Sequence, residues 1–551
     1  MIEKIHLKFG PSLGKPPLEI DVTPITVFVG PNNSGKSKIL REIQHTCVNG
    51  TTNNSFLLIE NIVFHDIVDH EREINKIKDA VHKVKMNDDG TYRYQRNGSV
   101  SHEQLVKVLS KRKDLRDSQF CIFFVEPYTI FLDGTTRLSL VTKREIGDLR
   151  SPQNTFALLF KDDVKRKEVR RIAFEAFYRY FVIDPTNSGH LIARFSDIEP
   201  PDSNFEKSLS NDAIQFYSDA SLIDSLSDGV KAYTGIIVEL IAGDPRIILI
   251  DEPEAFLHPS LSSKLGKEVS LAVQNNNKNL IVSTHSANFL MGCIQSGTPI
   301  NIVRLTYYNN IGTARLLPSD KVAKLMRHPL LRSIGALNGL FYDYVIVAES
   351  DSDRAFYQEI NERLLRYDQS RGIPNCLFLN AQNKQTIKDI MLPLREMGIP
   401  CAAIVDIDII KDGGQVWTKF LENAFVPAGT VRSFSTHRSE INNKFVAANI
   451  DFKIHGGIDV LNTNDKQSAN DLFDQLELYG IFTVRKGELE SWLKSLNSPG
   501  HGSNWLIDIF EKMGEDPTSS SYIKPDAGDV WDFIGSIKKW FVDPNKKGIP
   551  E

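Results

Sequence analysis

The sequence of 551 residues lacks any run of about 18 apolar side chains, the length that a helix needs to cross a bilayer. It has no Cys-x-x-Cys pair, which excludes a cysteine zinc site, and few, scattered cysteines, which argues against a disulfide scaffold. These cysteines are Cys47, Cys121, Cys293, Cys376 and Cys401. Residues Met1–Ile5 are too polar for a signal peptide. We therefore expect a cytoplasmic protein without a membrane partner.

The chain has no large excess of either charge, since 65 basic and 70 acidic side chains give a net charge of −5. A nucleic-acid partner would therefore have to meet a local basic groove. Strand and helix periodicities predict an α/β architecture with four parts. These are a split head (1–60 and 215–325), a mainly helical insertion (61–214), a second α/β domain (340–500) and a helical appendage (501–551).

A phosphate-loop pattern, Gly-x4-Gly-Lys-Ser, directly follows an apolar strand and precedes a predicted helix. The predicted contacts to nucleotide are Gly30, Asn33, Gly35, Lys36 and Ser37. Glycines let backbone N–H groups turn toward phosphates, a lysine reaches the β and γ oxygens, and a serine hydroxyl ligates Mg²⁺. The pattern predicts an ATP and magnesium site.

A carboxylate pair follows the buried-strand run 247–250. Asp251 stands where Mg²⁺ is held, and Glu252 can polarise the attacking water. His285 follows another apolar strand, in the position of a γ-phosphate sensor, although a lone histidine is more often structural. Together with the phosphate loop, these residues predict an ATPase.

The segment Ser225–Lys231 resembles the Leu-Ser-Gly-Gly-Gln signature of ABC-type ATPases, with Asp228 and Val230 as departures. Ser227 and Gly229 are its predicted contacts to ATP. In that superfamily the signature of one head closes over the ATP of another. The resemblance therefore implies self-association through the heads, as a dimer or a larger homo-oligomer.

Carboxylates also follow two strands of the second α/β series. Glu349 and Asp353 come after the strand at 344–348, and Asp406 and Asp408 after the strand at 402–405. Positions two apart on a strand face one side, so Asp406 and Asp408 can share a site. Oxygen ligands favour Mg²⁺ or Mn²⁺. The alternatives are a solvated acidic loop and, for Asp353, a helix N-cap.

A third element, 483–492, starts as a strand and is predicted to turn at Gly487 into a helix. It places Lys486 at the end of a strand, and the carboxylates also follow strand ends. A cation at this position would stabilise the transition state of phosphodiester cleavage. The alternative is an ordinary surface lysine.

The pattern of a glutamate after one strand (Glu349) and Asp-x-Asp after a later one (Asp406 and Asp408) resembles that of the TOPRIM fold. This fold is the metal domain of topoisomerases, primases and some nucleases. An ABC-type head followed by TOPRIM resembles the OLD (overcoming lysogenization defect) family of endonucleases, to which the nuclease subunit of the Gabija antiphage system is related. The resemblance covers roughly residues 1–495 and implies a dimerising insertion, two metals and Lys486 as the catalytic lysine, with Glu349 also catalytic. The metal ligands it implies are Glu349, Asp353, Asp406, Asp408 and Glu490, with Glu488 as the alternative to Glu490. Ser350 is a departure, since the family has glycine there.

The expected function is an ATP-regulated, divalent-metal-dependent DNA endonuclease of antiphage defence. One alternative is an ATP-dependent DNA clamp of the RecF or SMC kind with a TOPRIM domain that does not cut. Another is an effector held inactive until a partner releases it, either a helicase subunit or a reverse-transcriptase–DNA complex of the retron type. A DNA groove could be lined by Lys384, Lys388, Arg432, His437, Arg438 and Lys444. The charged run 161–171 is interpreted as a solvated helix face, with a DNA patch as the alternative.

Overall fold

The computed structural model divides into two compact units, Met1–Ala323 and Lys324–Glu551. It describes residues 1–50, 52, 55–77, 84–87, 89–94, 98–110, 118–243, 245–274, 278–308, 310–326 and 335–550. All five cysteines are free thiols. Among the described residues, none of the helices combines the length and the apolar character that a membrane crossing requires.

A six-stranded sheet forms the centre of the first unit. Its strands, in spatial order, are Ile311–Leu317, Ile300–Tyr308, Ile25–Val29, Asn279–Ser283, Ile247–Asp251 and Thr129–Leu132. Neighbours pair in parallel, except for the antiparallel edge strand Ile311–Leu317. Three of the central strands are buried at every residue, as expected where both faces of a parallel sheet are covered. Their carboxyl ends meet at one edge, which brings the phosphate loop and the Asp-Glu pair together.

Smaller sheets and helices complete the first unit. An antiparallel sheet joins Glu19–Asp21, Ile2–Leu7 and Ile59–Phe64, and another joins Val84–Met86, Tyr92–Tyr94 and Gly98–Val100. A third sheet contains Tyr180–Asn187, His190–Ser196, Ser221–Leu222 and Arg144–Glu145. The helices are Lys36–Asn49, His70–Ile77, His102–Ser110, Ser118–Phe120, Thr155–Lys161, Asp163–Phe177, Ser203–Glu206, Asn211–Asp219, Asp228–Ala242, Pro259–Gln274 and Ala287–Gln295, with Ser319–Met326 at the unit boundary.

The segment 61–214, for which we predict a mainly helical insertion, also supplies strands. Its strand Thr129–Leu132 pairs in parallel with Ile247–Asp251, so this part of the segment belongs to the head sheet itself. The apolar spacing of residues 74–84 predicts one continuous helix, but among the described residues the helix is His70–Ile77 and Val84 belongs to a strand. The intervening Val81 lies outside the described residues.

The charged run 161–171 is a solvated helix face in part only, since Lys161, Lys167 and Arg171 are exposed but two of its arginines are buried. Arg166 and Arg170 are 0% and 5% exposed, and both bind the carboxylate of Glu206, which is 1% exposed. The Arg166 Nε lies 2.9 Å from Glu206 Oε2, and its Nη1 donates to the carbonyl of Phe160 at 2.8 Å. The interpretation is therefore wrong for these two arginines, and a DNA patch is equally excluded for them.

Replacing the shared carboxylate of this buried cluster should destabilise the first unit strongly. Glu206→Ala leaves Arg166 and Arg170 without their common counter-ion, and breaking a buried pair costs about 3–5 kcal/mol. The measurement is the free energy of unfolding of the first unit from urea titration. Arg171→Ala is the matched control, because Arg171 makes half-exposed pairs on the same helix, which are worth about 0–1 kcal/mol each. Equal losses in the two variants would contradict the prediction.

The second unit is built on a four-stranded parallel sheet. The strand order is Cys376–Asn380, Tyr344–Ala348, Cys401–Asp406 and Ile481–Val484. The helices are Asp351–Tyr367, Lys384–Glu396, Gly414–Asn423, Ala428–Ala448, Thr463–Glu477, Ser503–Met513 and Asp529–Val542. The helix predicted after Gly487 is wrong. A 3-10 turn, Leu489–Ser491, takes its place, and the extended backbone of Trp492 ends it.

The last fifty residues are helical, as predicted, but they are not an appendage. Trp505, Trp531 and Phe541 are each at most 2% exposed, and they share one apolar core with Ile346 of the central sheet and Phe356 of the following helix. The segment 501–551 therefore completes the core of the second unit.

Candidate functional site

The phosphate loop between Ile25–Val29 and Lys36–Asn49 holds its lysine inside the loop. Lys36 is 4% exposed, and its Nζ donates to the carbonyls of Gly30 at 2.8 Å and Pro31 at 2.6 Å. Burial lowers the pKa of Lys36 to about 8, although Glu252 and Asp251 nearby oppose the shift. The ammonium is thus desolvated, and a bound phosphate would be a stronger partner than the two carbonyls.

The glycines of this loop are required by the backbone. Gly30 has φ 144°, and a side-chain carbon there would lie 2.1 Å from the carbonyl oxygen of Leu305. Gly35 has φ 94° and precedes the first turn of the helix, which contains Lys36 and the half-buried Ser37. Asn33, exposed at φ 62°, is a residue type that tolerates this left-handed conformation.

The Asp-Glu pair lies at the edge of the sheet where the phosphate loop begins. Asp251 is 9% exposed and accepts a hydrogen bond from the hydroxyl of Ser283, at the end of the neighbouring strand. Glu252 adopts φ 50°, a conformation that non-glycine residues rarely take, and its N–H donates to the carbonyl of Ser283 at 2.9 Å. This strained backbone leaves the Glu252 side chain half exposed at the site.

The half-buried Glu254 connects His285 to the Asp-Glu segment. Glu254 accepts from the backbone N–H of His285 at 2.6 Å and from the hydroxyl of Thr284 at 2.8 Å. The imidazole Nε2 lies 3.6 Å from Glu252 Oε1. Burial, and after it the charge of Lys36, lowers the pKa of His285, so the ring is neutral at physiological pH. A neutral ring can donate one hydrogen bond, as a γ-phosphate sensor would.

Sequence reasoning missed Arg137 beneath this site. The side chain is 0% exposed, and its Nη1 donates to the carbonyl of Glu252 at 2.7 Å. This bond holds the carbonyl of the residue whose φ is positive, which makes Arg137 a positioning residue for Glu252. No sequence motif identifies Arg137, because it lies 115 positions before Glu252, in a 3-10 turn of the predicted insertion.

The segment resembling the ABC signature begins a helix. Ser227 precedes Asp228–Ala242, is exposed and makes no side-chain capping bond, so its hydroxyl is accessible. Gly229 is buried against the Asp-Glu segment, where a side-chain carbon would lie 2.6 Å from the carbonyl oxygen of Phe256. The contact of Ser227 and Gly229 with the ATP of another copy stays a prediction.

Three carboxylates of the second unit meet at the carboxyl edge of its sheet. Glu349, Asp406 and Asp408 each offer one oxygen, and these oxygens all lie within 4.8 Å of one another. Glu349 also accepts from the N–H of Asp406 at 3.1 Å. Asp406 ends its strand and Asp408 stands in the 3-10 turn Ile407–Lys411, so they converge through this turn and not through strand alternation. Oxygen-only donors at this spacing fit Mg²⁺ or Mn²⁺.

Asp353 caps a helix, which is the alternative to metal binding given for it above. Its carboxylate and the Ser350 side chain form a capping box at the start of Asp351–Tyr367, with Ser350 N donating to Asp353 Oδ2 at 3.0 Å. The Ser350 hydroxyl donates to the same oxygen at 2.5 Å. Asp353 lies outside the carboxylate trio of Glu349, Asp406 and Asp408. Its metal role stays a prediction, since one of its oxygens is already engaged by Ser350.

A lysine that contacts two of these carboxylates, Lys453, was missed by sequence reasoning. Its Nζ lies 2.9 Å from Asp406 Oδ2, 3.8 Å from Asp408 Oδ2 and 3.5 Å from Glu488 Oε2. Burial opposes its charge, but the carboxylates outweigh burial and raise the pKa of Lys453. Lys486 is exposed and lines a separate cavity. Lys453 comes from a loop after a long helix, so no local pattern identifies it.

A second group of potential ligands lies beside the first. Glu488, Glu490 and His501 each offer one atom within 4.8 Å of the others. His501 Nδ1 lies 2.8 Å from Glu490 Oε1, which also accepts from the N–H of Gly502 at 2.7 Å. Lys453 connects the two groups through Asp406 and Glu488. Both glutamates considered in the sequence therefore lie at the site, together with a histidine from the C-terminal segment.

The basic residues proposed for a DNA groove are mostly engaged within the second unit. Lys384 Nζ binds Asp408 Oδ1 at 3.0 Å and lies 3.4 Å from Asp412 Oδ2. Arg438 donates to the carbonyl of Ile410 at 2.5 Å. The other four, which are exposed or paired with neighbours, are Lys388, Arg432, His437 and Lys444. Only Lys384 is thus placed at the carboxylates, and a groove stays a prediction for the others.

The charge of the carboxylate trio should make the metal-free second unit less stable as the pH rises. Burial and the neighbouring carboxylates raise the pKa of Glu349 and of Asp406 above the usual carboxyl range. The folded state therefore holds protons that the unfolded state has released, and stability is lost as the pH rises through the raised pKa values. In EDTA, the melting temperature of the second unit should fall from pH 5.5 to pH 8.5. Asp406→Asn should raise it at pH 8.5 and flatten the dependence, whereas a parallel fall in both proteins would contradict the assignment.

Two family models match the chain. One, whose description begins with "AAA domain" and refers to the AbiEii toxin of type IV toxin–antitoxin systems, matches residues 25–291. The other, the TOPRIM domain of overcoming-lysogenization-defect-like proteins, matches residues 340–408. The first unit therefore carries a P-loop ATPase head and the second a TOPRIM domain, as the motifs predict. These domains imply ATP and a divalent metal ion as cofactors.

Curated relatives are similar over part of the chain. The Old nuclease of Escherichia phage P2 is 25% identical over 177 residues, which are 30% of this chain and 28% of that protein. Endonuclease GajA of Bacillus cereus (strain HuB5-5) is 22% identical over 242 residues, which are 37% of this chain and 34% of that protein. The chain thus spans about a third of the length of these relatives.

Among solved structures, an Smc head bound to the C-winged helix domain of ScpA matches with a TM-score of 0.35 and 13% identity. That match covers 59% of this chain and 99% of the Smc head. The chain carries an AAA/ABC-type ATPase domain followed by an OLD-like TOPRIM domain, and it is weakly similar to Old and GajA. This organisation is consistent with the OLD family.

Proposed function

We propose that the protein is an ATP-regulated, divalent-metal-dependent DNA endonuclease. The observation that carries the proposal is the convergence of Glu349, Asp406 and Asp408 within 4.8 Å, at the carboxyl edge of a parallel sheet. The same chain carries a complete phosphate loop with its Asp-Glu pair. The names of the two curated relatives, a nuclease and an endonuclease, support a nucleic acid as the substrate.

Residues of both ligand groups would share the work at the TOPRIM site. Glu349, Asp406 and Asp408 would hold one divalent ion, and Glu490 with Glu488 or His501 a second, while Asp353 would act from its capping position. A bound divalent ion supplies a Lewis acid that stabilises negative charge on the phosphodiester oxygens. Lys453, with its ammonium 2.9 Å from Asp406, is better placed than Lys486 to offer a cation to that charge.

The head would bind and hydrolyse ATP. Lys36 and the loop N–H groups would hold the phosphates, Ser37 and Asp251 the magnesium ion, and Glu252 would orient water. Ser227 and Gly229 would complete the site of a second copy, so the working form is a homo-oligomer joined through its heads, with segment 61–214 adding to the contact. The biological role that fits is cytoplasmic antiphage defence.

The test is cleavage of supercoiled and linear DNA by the purified chain, with Mg²⁺ or Mn²⁺ and with or without ATP. Glu349→Ala runs in parallel. Cutting that requires the metal and disappears in Glu349→Ala is the expected result. Cutting that survives this substitution would refute the proposed site.

A second candidate is an ATP-dependent clamp that binds DNA without cutting. One observation favours it: Lys384 and Lys453 already pair with Asp406 and Asp408, which reduces the charge available to a metal ion. ATP-dependent retention of circular DNA without nicking would select this candidate. Cutting that appears only after addition of a helicase or a retron complex would instead identify a gated effector.

A further inference from the structure

A cavity of about 520 Å³ lies in the second unit, apart from the carboxylate trio. None of Glu349, Asp406 and Asp408 lines it. The cavity nevertheless shares two loops with the carboxylate site, because its Lys486 stands two positions before Glu488 and its Gly456 three positions after Lys453. Its volume falls within the usual range for small-ligand sites, about 300–1,000 Å³.

Two buried hydroxyls in the cavity wall have no hydrogen-bond partner among the described residues. These are Thr483 Oγ1 and Ser491 Oγ, on side chains that are 1% and 8% exposed. Buried polar groups in folded proteins are nearly always paired, so two unpaired hydroxyls on residues that line one cavity indicate a polar ligand close to them. They come from different elements, the strand Ile481–Val484 and the turn Leu489–Ser491, which converge on this space.

Three charged side chains of the cavity wall already have partners. Asp474 and Glu477 neutralise Arg485, and Lys466 neutralises Asp459. These three partners lie outside the cavity wall. Asp529 accepts hydrogen bonds from the backbone N–H groups of Leu493 at 3.2 Å and Val530 at 2.9 Å.

The lysines Lys486 and Lys494 also line the cavity, and both are exposed. Neither makes an ion pair or a side-chain hydrogen bond within the described parts of the chain. Two free ammonium groups and two hydroxyl donors together form the kind of donor set that binds a phosphate group.

Aromatic side chains also line the cavity. Trp492 and Phe533 line the cavity with their ring centroids 5.1 Å apart, and Phe533 is partly exposed. An exposed aromatic face offers stacking to a base, whatever its identity. We propose that this cavity binds a nucleoside monophosphate unit, with its phosphate at Lys486, Lys494, Thr483 and Ser491 and its base at Phe533.

The source of the nucleotide is the part of this inference that rests on the proposed function. The unit is either the terminal nucleotide of a DNA strand that enters the neighbouring carboxylate site, or a free nucleotide. Both sources present the same phosphate and base. A 5′-phosphorylated oligothymidylate that displaces thymidine 5′-monophosphate identifies the strand end, and one that does not displace it identifies the free nucleotide.

The experiment is calorimetric titration of the full-length chain, in EDTA, with thymidine 5′-monophosphate, and with thymidine as the ligand lacking phosphate. Binding should survive Lys36→Ala, which separates the cavity from the phosphate loop. Lys494→Glu should weaken binding about tenfold or more, the effect of losing one charge-assisted contact. Absence of binding to the unaltered chain, or equal affinity for thymidine, would overturn the inference.

Thr483→Val provides a sharper test, because two measurements should move in opposite directions. Removing an unpaired buried hydroxyl should raise the melting temperature of the ligand-free second unit, while affinity for thymidine 5′-monophosphate falls. Thr26→Val is the matched control, since Thr26 Oγ1 is also buried and unpaired but lies in the first unit. It should leave affinity unchanged. Unchanged affinity in both Thr483→Val and Lys494→Glu refutes the site.

The two proposals fail in distinguishable ways. If DNA is cut and the cut requires Asp408, but thymidine 5′-monophosphate does not bind, only the cavity assignment is refuted. If the nucleotide binds in the cavity but no DNA is cut under any condition, the endonuclease is refuted and the cavity assignment stands.

Discussion

Asp408→Ala should abolish metal-dependent DNA cutting, by about a thousandfold or more, while ATP hydrolysis continues. Asp408 contributes one of the three oxygens that lie within 4.8 Å of one another. Losing a ligand removes several kcal/mol of transition-state stabilisation by the metal, and each 1.36 kcal/mol is tenfold in rate. The ATPase should be spared because Asp408 and the phosphate loop belong to different compact units.

Asp412→Ala is the matched control for this prediction. Lys384 lies 3.0 Å from Asp408 and 3.4 Å from Asp412, but Asp412 is outside the carboxylate trio. If the trio holds the metal, Asp412→Ala should retain cutting within a few-fold of the unaltered chain. Equal loss in both variants would mean that the position of Lys384, rather than metal ligation, controls the reaction. Loss of ATP hydrolysis in Asp408→Ala would contradict the independence of the two sites.

The measurement is a pair of rates on each purified variant: nicking of supercoiled DNA over a range of Mg²⁺ concentrations, and release of inorganic phosphate from ATP. Raising the Mg²⁺ concentration should not restore cutting by Asp408→Ala to the level of the unaltered chain. Full restoration would indicate that Asp408 tunes metal affinity from outside the ligand set.

The parts of the two sites that sequence predicts are those placed by strand ends. Lys36, Asp251 and Glu349 each follow an apolar strand within a few residues, and parallel strands carry such residues to one edge of a sheet. Strand alternation predicts the proximity of Asp406 and Asp408, but a 3-10 turn brings them together. A correct prediction that two side chains are close can thus rest on an incorrect local conformation, because the buried strand determines where the chain leaves the sheet.

The residues that sequence missed reach the sites through tertiary packing. Lys453 lies in a loop and Arg137 in a 3-10 turn, and neither element has a periodicity that ties it to the motif it supports. His501 reaches Glu490 because the C-terminal segment packs into the core of the second unit. Conversely, Arg166 and Arg170 belong to a run whose composition resembles a solvated surface, and their shared counter-ion, Glu206, is distant in the sequence.

Glu252→Gln should lower the rate of ATP hydrolysis by about 10²–10⁴-fold, the usual contribution of a general base, and leave ATP binding intact. The amide keeps the size of the side chain but cannot take a proton from water. The main-chain contacts that fix Glu252, to Arg137 at 2.7 Å and to Ser283 at 2.9 Å, do not involve the carboxylate and should persist. The measurements are phosphate release and ATP affinity. A hydrolysis rate within a few-fold of the unaltered chain would refute the role of Glu252.

Glu254→Ala separates the chemistry from the support of the site. Glu254 carries no predicted chemical role, but its two oxygens accept from Thr284 and from the backbone of His285. An alanine removes both acceptors, so His285 should lose a fixed position and ATP affinity should fall together with the rate. Because Glu252→Gln retains bound ATP, it also decides the sign of regulation. DNA cutting that increases in Glu252→Gln with ATP identifies the ATP-bound head as the active state, and cutting that is suppressed identifies ATP as the restraint that hydrolysis removes.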